Sequence, residues 1–96
     1  MPAVTRLGDK CTGDGCFPPR PSTGANIKEV YCNNIKVHCK NDTWEEHWCG
    51  STIHTNRTTI GGSGTVYIDN DPIARIGDRI NCGASIAQGS GNVFAG

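Results

Sequence analysis

The chain has one leucine and one methionine in 96 residues. The residues that carry α-helices best are nearly missing, which excludes a helical bundle. There is no excess of either charge, with nine basic and nine acidic residues, and no Lys/Arg run, so no nucleic-acid partner is expected. No stretch approaches the ~18 apolar residues of a membrane-spanning helix. Met1-Pro2-Ala3-Val4-Thr5-Arg6 lacks the apolar core of a signal peptide, so synthesis in the cytoplasm is expected. Leu, Ile, Val and Phe supply only 17 residues; such scarcity signals disorder only when net charge is also high, and here it is zero. One domain over residues 1–96 is expected, too small to bury a generous core and in need of a staple or a partner.

What is present is turn and strand chemistry: thirteen glycines, five prolines and many threonines. Six cysteines stand at 11, 16, 32, 39, 49 and 82. In a reducing cytosol, metal binding is a better default for them than a disulfide framework.

An internal repeat organises the chain. Val66-Tyr67-Ile68-Asp69-Asn70, with Ile73, Ala74, Arg75 and Gly77-Asp78 behind it, matches Val30-Tyr31-Cys32-Asn33-Asn34 with Val37, His38 and Asn41-Asp42 at a constant offset. Val4-Thr5-Arg6-Leu7-Gly8-Asp9 repeats Ile73-Ala74-Arg75-Ile76-Gly77-Asp78, and Ser90-Gly91-Asn92-Val93-Phe94 echoes Ser63-Gly64-Thr65-Val66-Tyr67. The pattern is a circularly cut threefold repeat whose last unit is split between the termini. In each unit a run such as Thr65 to Ile68 has strand composition, Asp69-Asn70-Asp71 is turn chemistry, and Ile73 to Ile76 alternates before a Gly-Asp corner. The expected fold is mainly β: a small cone of short hairpins in pseudo-threefold array, with long connections at roughly 10–26, 43–62 and 79–89. Loops of that length need something to tie them down.

The ties are readable. Asp9 is followed by Cys11, Asp14 and Cys16; Asp42 by His47, Cys49 and His54; Asp78 by Cys82. Imidazole and thiolate are the preferred ligands of zinc, and a closed tetrahedral site contributes folding free energy directly. One zinc ion is expected, held by His47, His54 and Cys82, with Cys16 or Asp14 as fourth ligand and Cys11 behind them.

Over essentially its whole length the chain resembles the PAAR-repeat proteins. The resemblance rests on Pro72-Ile73-Ala74-Arg75, a degenerate copy of the naming motif, and on the stretch Thr12 to Pro21. Ile73 to Asp78, Asn81-Cys82-Gly83 and Gly89 to Phe94 follow in the family's order. It implies a cone of hairpins pointed by a zinc ion on three His and one Cys, its base capping the trimeric β-helical spike of a phage tail or a type VI secretion apparatus. Many relatives have His where this chain has Asp14, so only His47, His54 and Cys82 carry over. For the fourth place Cys16 is preferred to Asp14, because thiolate holds zinc more strongly in a closed site.

The expected role is therefore mechanical: a puncturing tip, one copy per spike trimer, touching the target membrane transiently. The lone short chain and its Asn, Thr and Gly content favour a phage virion, at the tail baseplate; secretion by a type VI system, and an adaptor for separate effector cargo, are the alternatives. A small zinc hydrolase using Glu45 or Glu46 on a bound water is the enzymatic alternative, and the want of a His-Glu-x-x-His helix and of room for a substrate speaks against it. The remaining residues have blander readings. His38, at the place of Ala74, reads as a strand residue facing solvent or the spike, Cys32 as core and Cys39 as a strand-face residue. Trp44 and Trp48 read as packing around the metal, Glu45-Glu46 as solvated, Phe17-Pro18-Pro19 as a rigid connection, and Cys11 with Cys49 as a disulfide formed late if at all.

Overall fold

A computed structural model describes residues 1–24 and 29–96; the end of the first expected loop, at Asn26, lies outside them. Three two-stranded antiparallel ribbons form, and no helix, among the described residues: β1 (Tyr31–Cys32) with β2 (Ile35–Lys36), β3 (His47–Cys49) with β4 (Thr52–His54), and β5 (Tyr67–Ile68) with β6 (Asp71–Pro72). The first and third are equivalent, pairing Tyr31 with Lys36 and Tyr67 with Pro72. Their two-residue turns, Asn33-Asn34 and Asp69-Asn70, have positive φ at both positions, the conformation that matches the twist of a tight hairpin and that Asn and Asp tolerate. The third unit is split as expected: Phe94 pairs with Ala3.

The repeat becomes a closed ring. Thr5 N–H donates to Ala74 C=O, Ala74 N–H to His38 C=O, and His38 N–H back to Thr5 C=O, at 3.0, 2.9 and 2.9 Å. A second ring joins the same three segments through Leu7 to Lys36, Lys40 to Pro72 and Ile76 to Ala3. Single bridges Val4–Arg75, Arg6–Val37 and Cys39–Ile73 complete the prism. Three strands that each lack a full sheet thus satisfy their backbone groups cyclically, leaving few open edges. Each prism strand ends at a corner where the Asp side chain bonds the N–H three residues back: Asp9 to Arg6, Asp42 to Cys39, Asp78 to Arg75. Arg6 and Arg75 add paired bonds to the same carboxylates.

Two apolar clusters lie along this axis. Val4, Cys32, Val37, Cys39, Ile73 and Ala95 pack beneath the hairpins; Cys11, Trp44, Ala74, Ile80, Ala84 and Ile86 pack beneath the loops, with Cys82 against them. The molecule extends 38 Å along one axis and 24 and 23 Å along the others. Backbones approach too closely for a side chain where the split unit joins: a Cβ at Gly89 would stand 2.7 Å from the Val4 carbonyl oxygen.

Several expectations are corrected here. The strands of the two repeat hairpins are only two residues long, because the chain after each of their turns leaves the hairpin to join the prism. The second long connection contains a hairpin, β3–β4, outside the repeat. His38 faces neither solvent nor a partner: it is fully buried, its Nε2 2.7 Å from Thr59 Oγ1, which also accepts from the Trp44 indole. Cys39 is likewise interior, filling the first cluster where the other two units place an arginine. Trp48 is exposed, whereas Trp44 is buried.

Burial pushes the His38 imidazole down to about 4, against a small opposing pull from Asp9. An unfolded His titrates near ~6.5. Above that value neither state is charged, so His38 contributes no pH dependence; below it the unfolded chain takes up a proton that the folded one refuses, and stability is lost as pH falls from 6.5 toward 4. At ~1.36 kcal/mol per pH unit the loss reaches about 3 kcal/mol. Denaturant midpoints measured between pH 7 and 4 are expected to fall more steeply for the natural chain than for His38→Gln; parallel curves would contradict this.

Candidate metal centre

The β3–β4 hairpin sets the first two donors. Its turn is Gly50-Ser51, with Gly50 at φ +63°, and its register places His47 opposite His54 and Trp48 opposite Ile53. Alternation then turns both imidazoles to one face and both apolar side chains to the other, where Trp48 and Ile53 are exposed. His47 Nε2 and His54 Nδ1 approach to 3.0 Å, while His47 Nδ1 lies 3.0 Å from the Pro18 carbonyl oxygen. With Nδ1–H donating to Pro18, Nε2 carries the ring's lone pair, directed here at His54 Nδ1 and available to a metal that takes the place of the proton between the two rings. The Phe17 ring stacks on His54 at 3.7 Å between centroids and 15° between planes.

The third donor comes from the last loop. Asn81 ties that loop to the exit of β4, its side chain accepting from Thr58 N–H and donating to Asn56 C=O, and the turn closes with Gly83 N–H on the Ile80 carbonyl. Cys82 is thereby carried to the imidazoles: the ligating atoms of His47, His54 and Cys82 all lie within 4.8 Å of one another. Donors on one tetrahedral zinc stand about 3.3–3.6 Å apart, given bonds of ~2.0 Å to nitrogen and ~2.3 Å to sulfur, so the trio fits such an ion with a small contraction. Ile53, His54, Thr55, Asn81 and Cys82 line a shallow open depression of about 490 Å³ there.

Burial, reinforced by the positive charge of Arg57 and by His54, holds the His47 imidazole below the ordinary histidine range, the Pro18 carbonyl and Asp14 pulling the other way. The net effect favours the neutral ring that ligates metal. For Cys11, burial opposes ionisation, but the Arg20 and Gly13 N–H groups and the Arg57 guanidinium outweigh it, and the thiol lies below its ordinary value.

Cys16 is not brought to the trio as a thiolate: its sulfur forms a disulfide with Cys49. Cys11, the only partner weighed for Cys49 in the sequence, is buried and free. The bond fastens the first loop to the end of β3. Asp14 opens a tight turn with Phe17, their backbones exchanging hydrogen bonds of 3.0 and 2.9 Å. Gly13 precedes that turn at φ +79°, where a Cβ would collide with the Phe17 carbonyl oxygen. The Asp14 carboxylate faces the residue after Cys82: a Cβ on Gly83 would lie 3.2 Å from Asp14 Oδ2. Replacing Cys16 and Cys49 together by serine is expected to cost between ~3 and ~4 kcal/mol, from freeing a separation of 33 residues in the unfolded chain. Chemical unfolding of metal-free protein, with and without reductant, measures it; equal stabilities would contradict the cross-link.

Two contributors escaped the sequence reading, Phe17 as a ring against His54 and Arg57. The Phe-Pro-Pro stretch did signal a rigid segment. Nothing signalled Arg57, since arginine is by default exposed, yet here it is 1 % exposed. Glu45 and Glu46 are exposed, as expected. The PAAR motif family model matches the chain over residues 12–88. No curated protein matches it in sequence.

Proposed function

The chain belongs to the PAAR motif family, which makes it a spike-tip protein of a contractile injection system, and from that premise we propose that it caps a trimeric β-helical spike in a phage tail baseplate, one copy per trimer. The observation that carries the proposal is the equivalence of three surfaces at the hairpin end. Tyr31, Tyr67 and Phe94 occupy the same place in the three units and are 53, 52 and 49 % exposed; Val30, Val66 and Val93 beside them are 38, 37 and 39 % exposed. Large side chains left so evenly open suit a partner that presents three identical surfaces, and aromatic residues are the usual anchors of an interface. One chain with internal threefold symmetry can then close a true trimer without a steric mismatch.

At the other end the long loops converge on His47, His54 and Cys82, which would hold one zinc ion. Asp14 is our choice for the fourth position, because Cys16 is spent on Cys49 and the Asp14 carboxylate lies beside the Cys82 turn. Bound there, zinc would supply a cross-link between the second and third loops, and through Asp14 the first. The role is structural: rigidity at the point that meets the target membrane, with no catalytic step. A type VI spike is the other host for the same design.

Light scattering of a mixture with purified spike trimers tests the reading. One chain bound per three spike chains is expected from a phage spike. Binding to monomeric spike alone, or several copies on one trimer, would contradict the cap, and binding only to a type VI trimer would move it to that machine.

A further inference from the structure

Arg57 leaves β4 three residues after His54 and turns its guanidinium inward, where the side chain is among the most completely buried in the molecule. Its Nε–H donates to Cys82 Sγ at 3.3 Å and its Nη2–H to Cys11 Sγ at 3.1 Å, while Nη1–H donates to the Glu45 carbonyl oxygen. The ion pairs among the described residues are Arg6–Asp9 and Arg75–Asp78, and Arg57 is in neither. A guanidinium stays charged in any protein environment, and a buried charge without an opposite one nearby is costly. Its partners here are two sulfurs and one carbonyl oxygen, held in the fixed fork that distinguishes arginine from lysine.

We propose that Arg57 is a positioning residue for the metal centre: it aims the Cys82 sulfur at the imidazoles and offsets the thiolate charge, with Cys11 as its anchor in the core. The inference rests on the zinc reading above and assigns to that site a partner behind its ligands. Groups that hydrogen-bond a ligand from behind commonly govern affinity about as strongly as some ligands do. The fork also gives a role to Cys11, which lies outside the trio and is buried: it completes the seat of the arginine. Loading of the tip is thereby coupled to the packing of the loop-side cluster, of which Cys11 is a member.

Cobalt(II) is the probe, because thiolate ligation gives it a charge-transfer band that reports on the sulfur itself. Titration of the full chain, disulfide intact, is compared for the natural protein, Arg57→Lys, Arg57→Met and Cys11→Ser. Arg57→Met is expected to bind about 10–100-fold more weakly and to shift the thiolate–cobalt band. Arg57→Lys should recover part of the affinity without restoring the band, because one ammonium cannot serve both sulfurs, and Cys11→Ser should fall between. A folded Arg57→Met that binds like the natural chain with the same band overturns the inference while leaving the site intact. If Arg57→Met does not fold, Arg57→Lys and Cys11→Ser decide by the same readings, natural affinity and band in both overturning it. Absence of any thiolate–cobalt band in the natural chain removes the site, and this inference with it.

Discussion

Stripping zinc from the loaded chain with a chelator is expected to lower its melting temperature by roughly 20 °C or more. A ligand present at about ten thousand times its dissociation constant stabilises the folded state by ~5.5 kcal/mol, and structural zinc sites commonly reach that ratio at modest free metal. In a chain of this size each kcal/mol moves the midpoint by about 4–8 °C. The effect is large because so little else holds the loop end: the apolar cluster beneath it contains Ile80, Ile86 and Trp44 as its only large side chains, and the first loop is fixed mainly through its disulfide and backbone bridges. His47→Ala, His54→Ala and Cys82→Ala should each abolish the zinc-dependent increment while changing the metal-free midpoint far less. Scanning calorimetry with and without zinc checks both statements. A metal-free chain that melts where the loaded chain does would contradict the stapled tip.

Loss of the three equivalent aromatics is expected to be as damaging at the other end. Tyr31→Ala, Tyr67→Ala and Phe94→Ala together should weaken binding to the spike trimer by about a thousandfold or more, if each anchor contributes the ~2 kcal/mol typical of a buried interface aromatic. All three are about half exposed in the free chain, so their truncation leaves the folded core nearly intact. The three single variants should lose similar amounts, because equivalent positions meet equivalent surfaces on a threefold partner. Titration calorimetry with the purified trimer reads this out. A loss confined to one variant would point to a one-sided contact, and no loss in the triple variant would exclude the hairpin end as the docking face.

The repeat was legible because constant offsets place equivalent residues without gaps, and it fixed what matters most in the fold: the closed rings through Thr5, His38 and Ala74, and the split unit joined at Ala3 and Phe94. Strand length was not, since the period-2 pattern of Ile73 to Ile76 is the same whether that segment pairs within its hairpin or across to the next unit. The β3–β4 hairpin had a readable signal, a Gly-Ser pair between His-Trp-Cys and Thr-Ile-His, obscured because the repeat assigned that stretch to a loop. Of the candidate ligands, His47, His54 and Cys82 could be read from their places after the Asp corners, and the structure gathers those three. Cys16 could not be assigned from its chemistry alone: the same thiol serves metal or disulfide, and only the position of Cys49 at the end of β3 decides. The interior place of His38 was hidden by its polarity, since only Thr59 and Trp44, brought from elsewhere in the chain, make its burial tolerable.

Anomalous X-ray scattering at the zinc edge, from crystals of the chain bound to a trimeric spike, tests the zinc-pointed cap. One peak per trimer is expected, on the threefold axis at the end away from the spike, with His47 and His54 nitrogens at ~2.0 Å and the Cys82 sulfur at ~2.3 Å. No peak, a peak beside the spike, or a chain seated off the axis would contradict it.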